Sequence, residues 1–117
     1  MPTTPEATVR EYYALVDAEQ YDDLVDLFAP DIRYERPGQG AIEGRDALLE
    51  FYLDGRPLED GSHEIHDIVV DGKTVAVRGT FSGVQNGEQV AFDFADFHEF
   101  ADGHIHRRYT FTDRDEV

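Results

Sequence analysis

The residues best suited to chemistry sit late in the chain, around an aspartate set among aromatic rings. The run Phe92-Asp93-Phe94-Ala95-Asp96-Phe97-His98 alternates as a strand does. Alternation puts Phe92, Phe94, Asp96 and His98 on one face and Asp93, Ala95 and Phe97 on the other. Phe92 and Phe94 would set the Asp96 carboxyl among apolar rings, and the plain reading of a lone strand aspartate is an ion pair, in which Asp96 faces Arg36 or Arg108 and serves no ligand. Guanidinium groups in a pocket would suit a ligand with a carboxylate or enolate oxygen. His98 and His106 carry the side chain whose ordinary pKa fits a proton acceptor near neutral pH.

Other chemistries lack the residues they need. The chain has no cysteine, which excludes disulfides, thiolate metal sites and cysteine nucleophiles. His63-Glu64-Ile65-His66 and His104-Ile105-His106 have strand spacing, not the helical i, i+4 pair of a zinc protease, so no metal is expected. No phosphate loop, dinucleotide-binding glycine pattern or Gly-x-Ser-x-Gly elbow occurs, and nothing implies a cofactor.

The elements that must position these residues are legible in outline. Thr4-Pro5 is a good helix start, and Val9, Tyr12, Tyr13 and Val16 recur at helical spacing, predicting a helix over 5–18. A second short helix is expected over 20–28, stopped by Pro30. Residues 32–36 read as a short strand broken by Pro37-Gly38-Gln39-Gly40. Gly44-Arg45-Asp46 opens a third helix ending at Gly55 and Pro57. Residues 63–70, 73–84, 89–100 and 104–112 then read as an antiparallel meander, its turns at Asp71-Gly72, Asn86-Gly87 and Asp102-Gly103. On the last strand, alternation puts His104, His106, Arg108, Thr110 and Thr112 on one face and Ile105, Arg107, Tyr109 and Phe111 on the other. Helices followed by long strands imply an α+β fold with one sheet face laid against the helices.

Composition limits the partners. The chain has 117 residues, the size of one domain, with 26 acidic against 10 basic side chains and a net charge of −16. Nucleic acid and anionic membranes need a basic footprint that is missing here. A dispersed acidic excess with Lys73 as the sole lysine fits the surface of a protein from a salt-adapted cytoplasm, where salt screens the self-repulsion. The segment from Met1 to Glu6 lacks the features of a signal peptide, and no apolar run approaches the roughly 20 residues of a membrane span, so a cytoplasmic protein is expected.

The Tyr12-Tyr13-Ala14-Leu15-Val16-Asp17 segment, the Ile42-Glu43-Gly44-Arg45-Asp46-Ala47 helix entry and the closing Asp102-Gly103-His104-Ile105 turn resemble the SnoaL-like and ketosteroid-isomerase-like proteins of the NTF2-like group. That resemblance covers nearly the whole chain. It implies a cone of three N-terminal helices on a strongly curved, mainly antiparallel sheet that encloses a pocket.

It also implies roles. The family's oxyanion-hole tyrosine falls on Tyr12, its protonated aspartic acid on Asp96 and a supporting pocket tyrosine on Tyr52, while Phe92 and Phe94 line the cavity and the Arg108 face of the last strand looks inward. The isomerases' aspartate base, just before a proline, is replaced by Arg36 before Pro37. Arginine stays protonated, so Arg36 cannot take a proton from carbon, and the base would be His98 or His106. Two readings follow. One is a cofactor-independent isomerase or cyclase acting on a small, mostly apolar carbonyl ligand, with Arg36 or Arg108 orienting an anionic group. The other is a non-catalytic ligand-binding or scaffold domain. The resemblance further implies a homodimer built on the outer face of Asp93, Ala95, Phe97, Tyr109 and Phe111.

Overall fold

The computed structural model describes residues 4–114 and Val117; Met1–Thr3, part of the stretch read above as lacking a leader, lie outside the described residues. Helix α1 spans Pro5–Asp17, and the Thr4 hydroxyl caps it by accepting the Ala7 N–H at 3.1 Å. Capping satisfies one of the helix's free first-turn donors, and Pro5 needs none. Val9, Tyr12, Tyr13 and Val16 form its buried face.

The second helix is shorter than expected. Helix α2 covers only Tyr21–Val25, and strand β1 begins at Phe28 and runs to Glu35. Phe28 leaves the helix because it pairs with Ile105 of the last strand. Pro30 therefore lies inside a strand, within an irregular stretch between Phe28 and Arg33 where its missing N–H is tolerated. A two-residue strand, β2 (Ile42–Glu43), pairs antiparallel with β1 and leads into helix α3 (Arg45–Glu50). The third helix does not stay α-helical to Gly55; it widens into a π-helical turn over Phe51–Gly55.

The meander follows as β3 (Leu58–Asp71), β4 (Thr74–Gln85), β5 (Glu88–Ala101) and β6 (His104–Thr112). Strand β3 starts earlier than expected because Leu58 and Glu59 pair with Gln85 and Val84. The tight turns at Asn86-Gly87 and Asp102-Gly103 hold both central residues at positive φ, the geometry these residue pairs favour.

The six strands are ordered β2-β1-β6-β5-β4-β3. All pairings are antiparallel except β1 with β6, which is parallel, so a mixed, unclosed and curved sheet packs against the helices. The core lies between α1 and the inner sheet face, with Tyr34, Phe28, Phe81, Leu24, Ile32, Leu48 and Ile105 fully buried. Glycine is required at position 61, where a Cβ would run into the Phe81 ring that walls this interior. No described helix is long and apolar enough to cross a membrane.

Candidate functional site

Strand β5 alternates as its sequence implies, with Phe92, Phe94, Asp96, His98 and Phe100 buried and Asp93, Phe97 and Glu99 exposed. Strand β6 does not. Glu99 pairs with Arg107 but Phe100 pairs with Ile105, so His106 is the extra residue of a bulge. The bulge shifts the alternation by one, so Ile105, Arg108 and Thr110 are all buried.

Asp96 and Arg108 lie diagonally across β5 and β6 and meet inside the protein, with Arg108 Nη2 2.9 Å from Asp96 Oδ2 and both side chains 3 % exposed. Asp96 accepts two further hydrogen bonds, from the Tyr13 hydroxyl at 2.5 Å and from Thr110 Oγ1 at 2.6 Å. With Thr110 donating to Asp96, the Tyr34 hydroxyl, 2.6 Å away, donates to Thr110. Arg36 Nη1 donates in turn to Tyr34 at 3.1 Å, completing a chain from Arg36 to Asp96.

This geometry corrects the expectation of a neutral acid. Burial raises the Asp96 pKa, but Arg108 and the hydrogen bonds from Thr110 and Tyr13 outweigh it and hold the carboxyl below its ordinary value. Asp96 is an ionised acceptor, not a hydrogen-bond donor to a ligand. Burial together with Asp96 raises Tyr13, and burial raises Tyr12 and Tyr34 despite Arg108, so all three phenols stay protonated.

Around this network the structure gathers Tyr12, Arg36, Phe92, Phe94, Asp96 and Arg108 onto one cavity, joined by Tyr34, Arg56, Leu58, His63, Phe81, Thr110 and Val117. Tyr52 stands one step behind, its hydroxyl 2.5 Å from that of Tyr12. The cavity measures about 20 Å³, room for roughly one water molecule. Three arginines converge on it, and four of their nitrogens are buried without a partner among the described residues: Arg36 Nε, Arg56 Nε, and Arg108 Nε and Nη1. The Arg108 guanidinium lies 4.3 Å from the Tyr12 ring centre and 4.4 Å from that of Tyr34.

The two histidines expected as bases lie elsewhere. His98 is fully buried beside Tyr12 and Tyr13 and does not line the cavity. Burial, reinforced by Arg108, pushes its pKa down to about 3, so the ring is neutral. Its Nε2 approaches the Tyr13 hydroxyl at 3.2 Å, and its Nδ1 has no partner among the described residues. His106, displaced by the bulge, meets Asp31 at 3.2 Å on the exposed side of the sheet. Neither has access to a ligand in the cavity.

Sequence reasoning missed Tyr13, Tyr34, Thr110, Arg56 and His63. Tyr13 and Thr110 sit on recognised elements, but their bonds to Asp96 span 83 and 14 residues and leave no local signal. Among the described residues, no group of three or more His, Asp or Glu side chains is arranged to hold a metal ion.

The SnoaL-like domain family profile matches residues 9–108. No curated protein sequence matches the chain. Among solved structures, an NTF2-like protein of unknown function from Burkholderia pseudomallei superposes with a TM-score of 0.85 at 20% identity, covering 95% of this chain and 92% of that one. A candidate ketosteroid isomerase from Kribbella flavida gives 0.77 at 24% identity over 97% and 80%. Wild-type IdmH, a candidate polyketide cyclase from Streptomyces antibioticus, gives 0.78 at 22% identity over 95% and 93%. At these identities the structural likeness establishes the fold.

The buried His98 sets a pH dependence. Its folded pKa of about 3 lies below the ordinary 6.5, so the unfolded chain binds the extra proton between those values and stability falls as pH drops through that window. The limiting slope is about 1.4 kcal/mol per pH unit. Asp96, lowered from 3.8, adds its loss only below that value. Urea unfolding from neutral pH downward should show stability declining below 6.5, with His98→Gln removing that part of the slope. An unchanged slope in the variant would contradict the assignment.

Proposed function

The chain belongs to the SnoaL-like domain family, and from that premise we propose that it is a cofactor-independent enzyme of the isomerase or cyclase kind, acting on a small carbonyl compound that carries an anionic group. The observation that carries this reading is that three arginines line one cavity and four of their buried guanidinium nitrogens have no partner among the described residues. A buried donor left without a partner costs about 1–3 kcal/mol, so folded proteins rarely keep several together unless water or a ligand completes them. Three of the ten basic residues in a chain of net charge −16 meet here, and Asp96 neutralises one of them. A carboxylate or enolate satisfies such donors in pairs.

Arg36 and Arg56 would take the anionic group, while the Tyr12 hydroxyl, supported by Tyr52, would donate to the carbonyl oxygen. Phe92 and Phe94 would meet the apolar body of the ligand. The ion-paired Asp96 would hold Arg108 in place instead of acting on the ligand itself. A cavity of about 20 Å³ must open to admit such a compound, and Val117, buried against it and tied by its N–H to the Pro37 carbonyl at 3.1 Å, is the residue to displace.

A second reading, a non-catalytic ligand-binding or scaffold domain, is favoured by Arg36 in the place where the resembling isomerases carry their base. Either protein would pair with a second copy through the outer face, where Phe97 and Phe111 are 40% and 57% exposed with ring centres 5.9 Å apart. The acidic surface suits a salt-rich cytoplasm.

Titration calorimetry should find small oxo-carboxylates binding at least about tenfold more tightly than matched neutral ketones, with the preference lost in Arg36→Ala. Equal binding of both classes, or binding of neither, would overturn the anionic site. Light scattering should give a dimer for the wild type and a monomer for Phe111→Asp; a wild-type monomer would refute the pairing.

A further inference from the structure

With Arg36 protonated, Asp96 ion-paired and His98 sealed away, the site described so far lacks a group that can take a proton from carbon. His63 of β3 supplies one. It lines the same cavity, and its ring packs against Phe81 and Phe94 at centroid distances of 5.0 and 5.3 Å. Across a separation of 46 residues, Asp17 at the end of α1 clamps it twice. Asp17 Oδ1 lies 2.6 Å from His63 Nδ1, and Oδ2 accepts the His63 backbone N–H at 2.9 Å.

A carboxylate facing Nδ1 fixes the proton there and leaves Nε2 as the basic nitrogen. Nε2 has no hydrogen-bond partner among the described residues. The arrangement is a carboxylate-oriented imidazole whose unoccupied nitrogen belongs to a residue of the cavity wall, the form a positioned general base takes. Asp17 and Tyr13 of α1 touch it directly, and the charged and titratable residues that line the cavity with it are Tyr12, Tyr34, Arg36, Arg56, Asp96 and Arg108.

We propose that His63 is the proton-transferring base of this cavity and that Asp17 is its positioning residue. The proposal rests on the enzymatic reading above. In the step it describes, Nε2 removes a proton from the carbon next to the carbonyl, and the C–H electron pair passes into an enolate. The enolate oxygen meets the Tyr12 hydroxyl and the guanidinium donors, and Asp17 stabilises the imidazolium that forms. Where the substrate already carries a double bond one carbon further on, the enolate is a dienolate and return of the proton to its far carbon shifts that double bond; return of a solvent deuteron to the original carbon is isotope exchange.

The test follows exchange of the acidic C–H protons of small 3-oxo-carboxylates in deuterium oxide by proton NMR, with calorimetry on the same compounds. The wild type should accelerate exchange over buffer. His63→Gln, folded by circular dichroism, should keep carboxylate binding and lose exchange by about 100-fold or more. Asp17→Asn should keep binding and slow exchange, and nitrogen NMR should show that His63 has lost its single Nδ1–H tautomer, a change that a merely structural role of Asp17 would not require. Binding with undiminished exchange in folded His63→Gln overturns the base while leaving the anionic site standing. Binding without any exchange in the wild type overturns it as well. Failure of every carboxylate to bind sinks the anionic site and the base with it.

Discussion

The buried ion pair of Asp96 and Arg108 is the constraint to which the interior is fitted. Two charges 2.9 Å apart and 3 % exposed have given up hydration worth several kcal/mol each, and their attraction repays it only if the remaining lone pairs and donors are met. On the Asp96 side they are met: Tyr13 on α1 and Thr110 on β6 complete the carboxylate. The first helix is thereby fastened to the sheet by a hydrogen bond to a charge. On the Arg108 side they are not, since Nε and Nη1 are buried without a partner among the described residues. The functional reading comes from that asymmetry, a carboxylate fully used by the fold and a guanidinium only half used.

The same pair reverses the logic expected of the site. In a purely apolar pocket Asp96 would stay protonated and donate. Here Arg108 and Arg36 turn the interior cationic beneath a strongly acidic surface. On the function proposed above, a site built this way would take an anionic ligand in preference to a neutral steroid-like one, and at about 20 Å³ its cavity would have to open to do so. On the proposal made above, proton transfer then falls to a group outside the ion-pair network, the Asp17–His63 pair that joins α1 to β3.

Much of this was legible in the chain where the information is local. The Thr4-Pro5 start, the Asn86-Gly87 and Asp102-Gly103 turns and the period-two pattern of β5 each depend on a few neighbouring residues, and each appears as read. What was hidden depends on partners far along the chain. Phe28 left a helical pattern because Ile105 offers a parallel strand to pair with. His106 turned outward because one extra residue bulges β6, which no alternation count can place. The charge state of Asp96 was undecidable between two readings until the diagonal neighbour Arg108 was seen beside it. Asp17 and His63, 46 residues apart, carried no sign of their contact.

The central claim is that Asp96 is ionised at neutral pH and held so by Arg108. Carbon NMR of the Asp96 carboxyl, in protein labelled at aspartate and assigned with Asp96→Asn, measures this directly. The account predicts a carboxylate at neutral pH that takes up its proton below the ordinary 3.8, and at higher pH in Arg108→Met. A carboxyl group still protonated at neutral pH would contradict it, and would restore the neutral, hydrogen-bond-donating acid that the resemblance to the isomerases implies.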